Sequence, residues 1–149
     1  MKRIVIDKSR CMGCLNCTIA CMAEHSSDSK SIYDLDLNDR ASESRNYITL
    51  DQDNHPTPIF CRHCDEPQCV AACMSGAMTK DPETGVVNYD EERCAACFMC
   101  VMSCPYGVLK PSAQKDKKVI RCDYCQGREI PRCVENCPTG AIQFVEVGN

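Results

Sequence analysis

Sixteen cysteines in 149 residues fall into four quartets, and this grouping constrains the chain more than any other feature. Cys11, Cys14, Cys17 and Cys21 follow the spacing C-x2-C-x2-C-x3-C; Cys94, Cys97, Cys100 and Cys104 repeat it, with Pro105 directly after. Cys61, Cys64, Cys69 and Cys73 follow C-x2-C-x4-C-x3-C, and Cys122, Cys125, Cys133 and Cys137 follow C-x2-C-x7-C-x3-C, with Pro138 next. No cysteine is left over. Leu, Ile, Val and Phe together number only 27 and Trp is absent, so the apolar core is thin for a chain of this length. The thiols must therefore hold the fold together, through disulfides or through metal.

The N-terminal ten residues, MKRIVIDKSR, show no apolar leader and no twin-arginine pair, which predicts a reducing, cytoplasmic setting in which thiols ligate metal. A secreted disulfide scaffold is the competing reading, and export alongside a signal-bearing partner stays open. No apolar run approaches the length of a membrane span, so a direct span is not expected.

The C-x2-C-x2-C-x3-C-P run is the bacterial ferredoxin signature, in which three closely spaced thiolates hold three irons of one cubane and the fourth cysteine ligates the other cluster. Short x2 steps wrap backbone amides around a cluster, and the x3 step begins a turn that carries the last thiolate away. Zinc is the alternative metal, but its sites normally take two pairs separated by a longer loop. Four quartets thus predict four [4Fe–4S] clusters, with about 16 irons and 16 acid-labile sulfides per chain.

The quartets sit in a repeat. Ile6-Asp7-Lys8-Ser9-Arg10-Cys11 lines up with Tyr89-Asp90-Glu91-Glu92-Arg93-Cys94, Cys69-Val70-Ala71-Ala72-Cys73 with Cys133-Val134-Glu135-Asn136-Cys137, and Gly76-Ala77-Met78 with Gly140-Ala141-Ile142. Short strands are expected at 3–6, 46–50, 86–89 and 141–147, a hairpin through Asp81-Pro82-Glu83-Thr84-Gly85, and short helices within 15–24 and 98–103. The predicted class is α+β: two bacterial-ferredoxin-like dicluster lobes, duplicated β-α-β units around four cubanes.

The chain resembles the four-cluster, ferredoxin-like iron–sulfur subunits of the dimethyl sulfoxide reductase type. The likeness runs through Cys11-Met12-Gly13-Cys14, Cys61-Arg62-His63-Cys64-Asp65-Glu66-Pro67-Gln68-Cys69-Val70, Cys104-Pro105-Tyr106-Gly107 and Arg121-Cys122-Asp123-Tyr124-Cys125. Within that family, the small size and the segment from Cys17 to His25 look most like the subunit that accompanies nickel carbon monoxide dehydrogenase. The resemblance implies that motif one pairs with motif four and motif two with motif three. One cluster would then take Cys11, Cys14, Cys17 and Cys137, and its neighbour Cys21, Cys122, Cys125 and Cys133. The other pair would take Cys61, Cys64, Cys69 and Cys104, beside Cys73, Cys94, Cys97 and Cys100. Spacing alone leaves sequential pairing open. In this scheme residues 1–24 with 105–149 form one lobe and 25–104 the other, with a polar connector at 22–60. Only twelve residues follow Cys137, so no long membrane-docking extension is expected.

Outside the ligand set, 22–60 and 110–121 read as solvated connectors, the first with a docking surface for a partner enzyme as its alternative. In the second, Lys115, Lys117, Lys118 and Arg121 form a basic stretch able to steer an acidic partner. A net charge of −4 argues against nucleic acid. His63, between Cys61 and Cys64, is a candidate hydrogen-bond donor to a cluster sulfur, against a packing role; His25 and His55 have no vacant site to fill. Met12, Met22, Met74, Met78, Met99 and Met102 are expected to pack softly over the cubanes. No Ser/His/Asp set, carboxylate pair or Gly-rich nucleotide loop stands out.

The expected function is therefore an electron wire without its own substrate site. It would take electrons from a catalytic oxidoreductase, with carbon monoxide dehydrogenase favoured and formate dehydrogenase, a molybdopterin enzyme or hydrogenase as alternatives. It would deliver them to a ferredoxin, hydrogenase or flavin oxidoreductase. A redox sensor is the competing class.

Overall fold

The computed structural model describes residues 1–26, 31–39, 42–113 and 118–148. Strand β1 (Lys2–Ile6) pairs antiparallel with β8 (Ile142–Glu146), so that the two ends of the chain meet, Ile4 opposite Phe144 and Ile6 opposite Ile142. After β1 the Asp7 carboxylate accepts the Ser9 N–H and hydroxyl and caps a 3-10 turn at Lys8–Arg10. Helix α1 (Asn16–His25) then follows motif one.

Strands β2 (Tyr47–Leu50) and β3 (Pro56–Ile59) make a hairpin whose turn is fastened by Asp51, which accepts the N–H groups of Asp53 and His55. Helix α2 (Gln68–Ala71) lies in motif two. The predicted hairpin through Asp81 is formed by β4 (Met78–Lys80) and β5 (Val87–Tyr89), with the Asp81 carboxylate accepting from Glu83 and Thr84 and Gly85 in the left-handed region. Helix α3 (Met99–Met102) lies in motif three, a short ribbon β6 (Lys110–Pro111) and β7 (Val119–Ile120) follows, and α4 (Arg132–Glu135) lies in motif four.

Among the described residues every sheet is two-stranded, a size at the edge of stability by itself. Two small cores hold them. One gathers Met78, Val87, Cys100, Val108, Leu109 and Val119, with Cys61, Cys69, Cys73, Cys94 and Cys104 packed on it; the other gathers Cys17, Phe60, Cys133 and Ile142, with Cys137 beside them. Each core is built around thiols, as the low count of large apolar residues requires. No helix among the described residues is long and apolar enough to cross a membrane.

Several expectations need correction. Strand β3 escapes sequence reading because it contains Pro56 and Pro58, which a two-stranded ribbon tolerates on its unpaired edge. The connector 22–60 is not simply solvated. Ser42, Ser44 and Asn46 are buried, and Asn46 bridges the Thr18 hydroxyl and the Cys17 carbonyl, which ties the segment to α1. In the second connector Val119, Ile120 and Arg121 are buried, and Lys118 donates to the Glu91 and Cys94 carbonyls. Arg121 is therefore not part of a solvated basic patch; Lys115 and Lys117 lie outside the described residues. The methionines do not act together as a shield: Met78 is buried, whereas Met12, Met74, Met99 and Met102 are exposed.

Candidate metal centres

The repeat seen in sequence returns as a repeated set of contacts. The Asp7 N–H donates to the Ala141 carbonyl at 2.8 Å, and the equivalent Asp90 N–H donates to Ala77 at 2.8 Å. Arg10, just before motif one, lies over Gly140, just after motif four; a Cβ there would stand 3.2 Å from Arg10 Nη2. Arg93, just before motif three, lies over Gly76, just after motif two, where a Cβ would stand 2.9 Å from Arg93 Nη2. Helix α1 packs on α4, and α2 on α3. The entrance to motif one thus rests on the exit of motif four, and that of motif three on the exit of motif two. The helices start alike within each class as well: left-handed Leu15 and Phe98 precede α1 and α3, and Pro67 and Pro131 precede α2 and α4.

All sixteen cysteines lie among the described residues and carry free thiols. Cys61, Cys64, Cys69 and Cys104 line one small cavity, of about 20 Å³. Cys73, Cys94, Cys97 and Cys100 line a second, of about 10 Å³. In the other half of the molecule Cys133 lies within electrostatic reach of Cys21, Cys125 and Cys17, Cys122 of Cys133 and Cys21, and Cys17 of Cys14 and Cys11, while Cys137 packs against the core that holds Cys17 and Cys133.

These surroundings suit a cationic cluster core. Burial pushes the Cys17, Cys69 and Cys125 thiols up to about 11 and raises those of Cys122 and Cys133 well above the value of a free thiol, so thiolates form there only when a metal compensates the charge. Cys73 and Cys137 behave oppositely. Burial raises both, but Met78 and Ile142 backbone N–H groups, helped by the Ser75 and Thr139 hydroxyls, outweigh it and bring the net value below that of a free thiol. Sulfur-directed amides recur elsewhere: Arg45 N–H to Cys21 Sγ at 3.3 Å, Met78 N–H to Cys73 Sγ at 3.4 Å and Ala96 N–H to Cys94 Sγ at 3.4 Å. The Arg45 contact comes from the connector and has no sequence signal.

His63 is among the most buried side chains, 2% exposed, and it borders the first cavity. Its Nδ1 accepts the Val87 N–H at 2.9 Å, so in the neutral ring the proton sits on Nε2, which has no protein partner. Burial, followed by the nearby Arg121 charge, brings its pKa down to about 3 and keeps it neutral. A buried donor without a partner beside four thiols fits a site designed to hold sulfide.

His25 serves differently. Its Nε2 lies 3.2 Å from Asp123 Oδ1 and its Nδ1 2.8 Å from the Cys21 carbonyl oxygen, and Asp123 also pairs with Arg45 at 2.5 Å. His25, Asp123 and Cys125 stand close enough to hold an ion, yet the imidazole and carboxylate already satisfy each other and Arg45. His55 is exposed.

Residues 53–147 match the family of 4Fe-4S dicluster domains. The chain is 38% identical over 156 residues to the probable anaerobic dimethyl sulfoxide reductase chain YnfG of Escherichia coli (strain K12), covering 93% of this chain and 70% of that one. It is 31% identical to the putative electron transport protein YsaA of the same strain, over 97% of this chain and 89% of that one, and 29% identical to the iron-sulfur subunit of its nitrate-inducible formate dehydrogenase, over 94% and 52%. Among solved structures, a chain of the active site complex BamBC of benzoyl coenzyme A reductase with benzoyl-CoA superposes with a TM-score of 0.53 at 26% identity, over 97% of this chain and 79% of that one. Quartet spacing, thiol-lined cavities and likeness along nearly the whole length agree: the chain belongs to the family of 4Fe-4S dicluster domains, and [4Fe–4S] clusters are its cofactors.

Proposed function

We propose that this protein is an electron-conducting subunit of an oxidoreductase complex, without a substrate site of its own. When bound, each cluster supplies reversible one-electron storage; the chain's residues hold it, exclude water from it and set its potential. One cluster would be held by Cys11, Cys14, Cys17 and Cys137, and its neighbour by Cys21, Cys122, Cys125 and Cys133. Cys61, Cys64, Cys69 and Cys104 would hold the third, and Cys73, Cys94, Cys97 and Cys100 the fourth. The observation that carries this reading is the doubled contact Asp7 to Ala141 and Asp90 to Ala77, which supports pairing one with four and two with three and not sequential pairing. Two dicluster lobes would follow from it, one around motifs one and four and one around motifs two and three, but not with boundaries at 24 and 104: Phe60 packs with Cys17 and Cys133, and Val108, Leu109 and Val119 pack with Cys61 and Cys100.

The resemblance of the segment from Cys17 to His25 favours carbon monoxide dehydrogenase as electron donor, working in the reducing cytoplasm. The relatives' names, a dimethyl sulfoxide reductase chain and a formate dehydrogenase subunit, favour a second reading in which the catalytic partner is of those kinds. Reduction of the purified protein, followed by bleaching of its broad visible band, separates the two. Carbon monoxide with its dehydrogenase should bleach the band; bleaching by formate and its dehydrogenase alone would overturn the first reading. Reduction by neither of these, nor by a molybdopterin enzyme or hydrogenase with its substrate, would count against conduction and favour the sensor reading.

A further inference from the structure

Arg121 stands directly before motif four and is 6% exposed. Its guanidinium donates to the carbonyl oxygens of Val87 and Cys122, and among the described residues no carboxylate bonds to it. Asp123, the nearest acid in sequence, is already taken by Arg45 and His25. A buried guanidinium satisfied only by carbonyls is costly unless an anion lies close. The groups that its charge bears on are Cys61 of one proposed ligand set and Cys122 of another, then the Asp123 carboxylate, and then Cys69. Val87, one of its two acceptors, borders the cavity lined by Cys61, Cys64, Cys69 and Cys104. Cys61 and Cys122 in turn act on each other electrostatically, so these two sites adjoin across the boundary between the halves of the molecule, with Arg121 between them.

Resting on the ligand sets proposed above, we infer that Arg121 is a fixed counter-charge shared by these two central clusters, and that it raises the potential of both relative to the two outer ones. A cubane with four thiolates is an anion that gains one further negative charge when it accepts one electron from its neighbour. A guanidinium that does not move or lose its proton attracts the reduced form more strongly than the oxidised form. Low dielectric in the buried setting preserves that difference. Arg121 is thus a positioning charge for the electron at the crossing between halves, and no proton accompanies the transfer.

The test is an EPR-monitored redox titration of the full chain, with iron counted in every sample. Arg121→Gln keeps donors for the carbonyls and removes the charge; the potentials of two of the four clusters should fall while the other two stay within error. Arg121→Lys, which keeps the charge, should restore that pair most of the way. Unchanged potentials in a fully loaded Gln variant, an equal fall in all four, or a Lys variant that shifts as far as Gln would each overturn the proposal. Should Gln not retain its iron, Arg121→Met is the second neutral variant. If both neutral variants lose iron, restored loading in the Lys variant supports the charge requirement and loss in the Lys variant overturns it. Sequential pairing would instead show as a loss of about eight irons in the Cys11→Ala/Cys137→Ala double variant and would count against the ligand sets, so the two failures are distinguishable.

Discussion

The rings of His63 and Tyr124 stand 4.0 Å apart with their planes tilted by 40°, and each residue directly precedes the second cysteine of a C-x2-C step. Both adopt left-handed backbone, with φ of 44° and 56°, so the two expanded motifs present equivalent side chains to each other at the centre of the molecule. Tyr124 continues edge-on to Phe144 at 5.3 Å, linking this contact to β8. The pair is a structural join between the two halves of the duplication.

Neutral His63 makes the protein sensitive to mild acid. Its folded pKa of about 3 lies below the unfolded value near 6.5, so the folded state refuses a proton that the unfolded chain accepts. Stability is full above pH 6.5 and falls as pH drops below it. At pH 5 the loss amounts to about 2 kcal/mol. Thermal midpoints at pH 7 and pH 5 should differ accordingly, and the difference should shrink in His63→Phe, which is itself weaker at pH 7 through the unsatisfied Val87 N–H.

His25 titrates in a separate window with the opposite sign. Burial works against its charge, but the Asp123 hydrogen bond and the contact with Cys21 outweigh it and raise the pKa to about 9. The stabilisation is complete below pH 6.5 and disappears as pH rises through about 9. Asp123→Asn loses the Arg45 pair at any of these pH values and the His25 pair only at the lower ones, so its cost should be greater at pH 6.5 than at pH 10 by roughly 2 kcal/mol, measured as the wild-type to variant difference in melting.

Gly140 and Gly76 hold the Arg10 and Arg93 contacts in left-handed backbone, φ 61° and 66°. Gly140→Ala and Gly76→Ala should each cost about 1 kcal/mol from backbone strain alone, with Gly76 the more sensitive because its Cβ would meet Arg93 Nη2 at 2.9 Å. Melting of the iron-loaded variants measures both.

Ligand pairing is readable from iron counts. If Cys11 and Cys137 serve one cluster, Cys11→Ala and Cys137→Ala damage the same site, and the double variant loses no more than about four irons. Sequential pairing puts them in different clusters, and the double variant would lose about eight.

Removing iron should unfold the chain. Among the described residues the sheets are two-stranded and both cores include cysteines, so the apo protein should show no cooperative thermal transition by circular dichroism. A sharp transition after chelation would contradict that.

Much of the molecule is legible in its sequence because the thiol spacing and the local turns are short-range features. The quartets, the Asp81 hairpin and the helices after Cys14 and Cys97 depend on residues only a few positions apart, so spacing and turn chemistry reveal them. Strand β3 is hidden because prolines argue against a strand until its partner β2 is known to leave their side unpaired. The roles of Arg45, Asn46 and Arg121 are hidden for a related reason: each looks like an ordinary solvated residue until tertiary packing removes water from it. The cysteine pattern by itself determined the cofactor type, the number of sites and the repeat. Tertiary packing alone decided which motif exits meet which entrances and which polar groups lie buried beside the thiols, because those contacts join residues far apart in the chain and their energies depend on the exclusion of water.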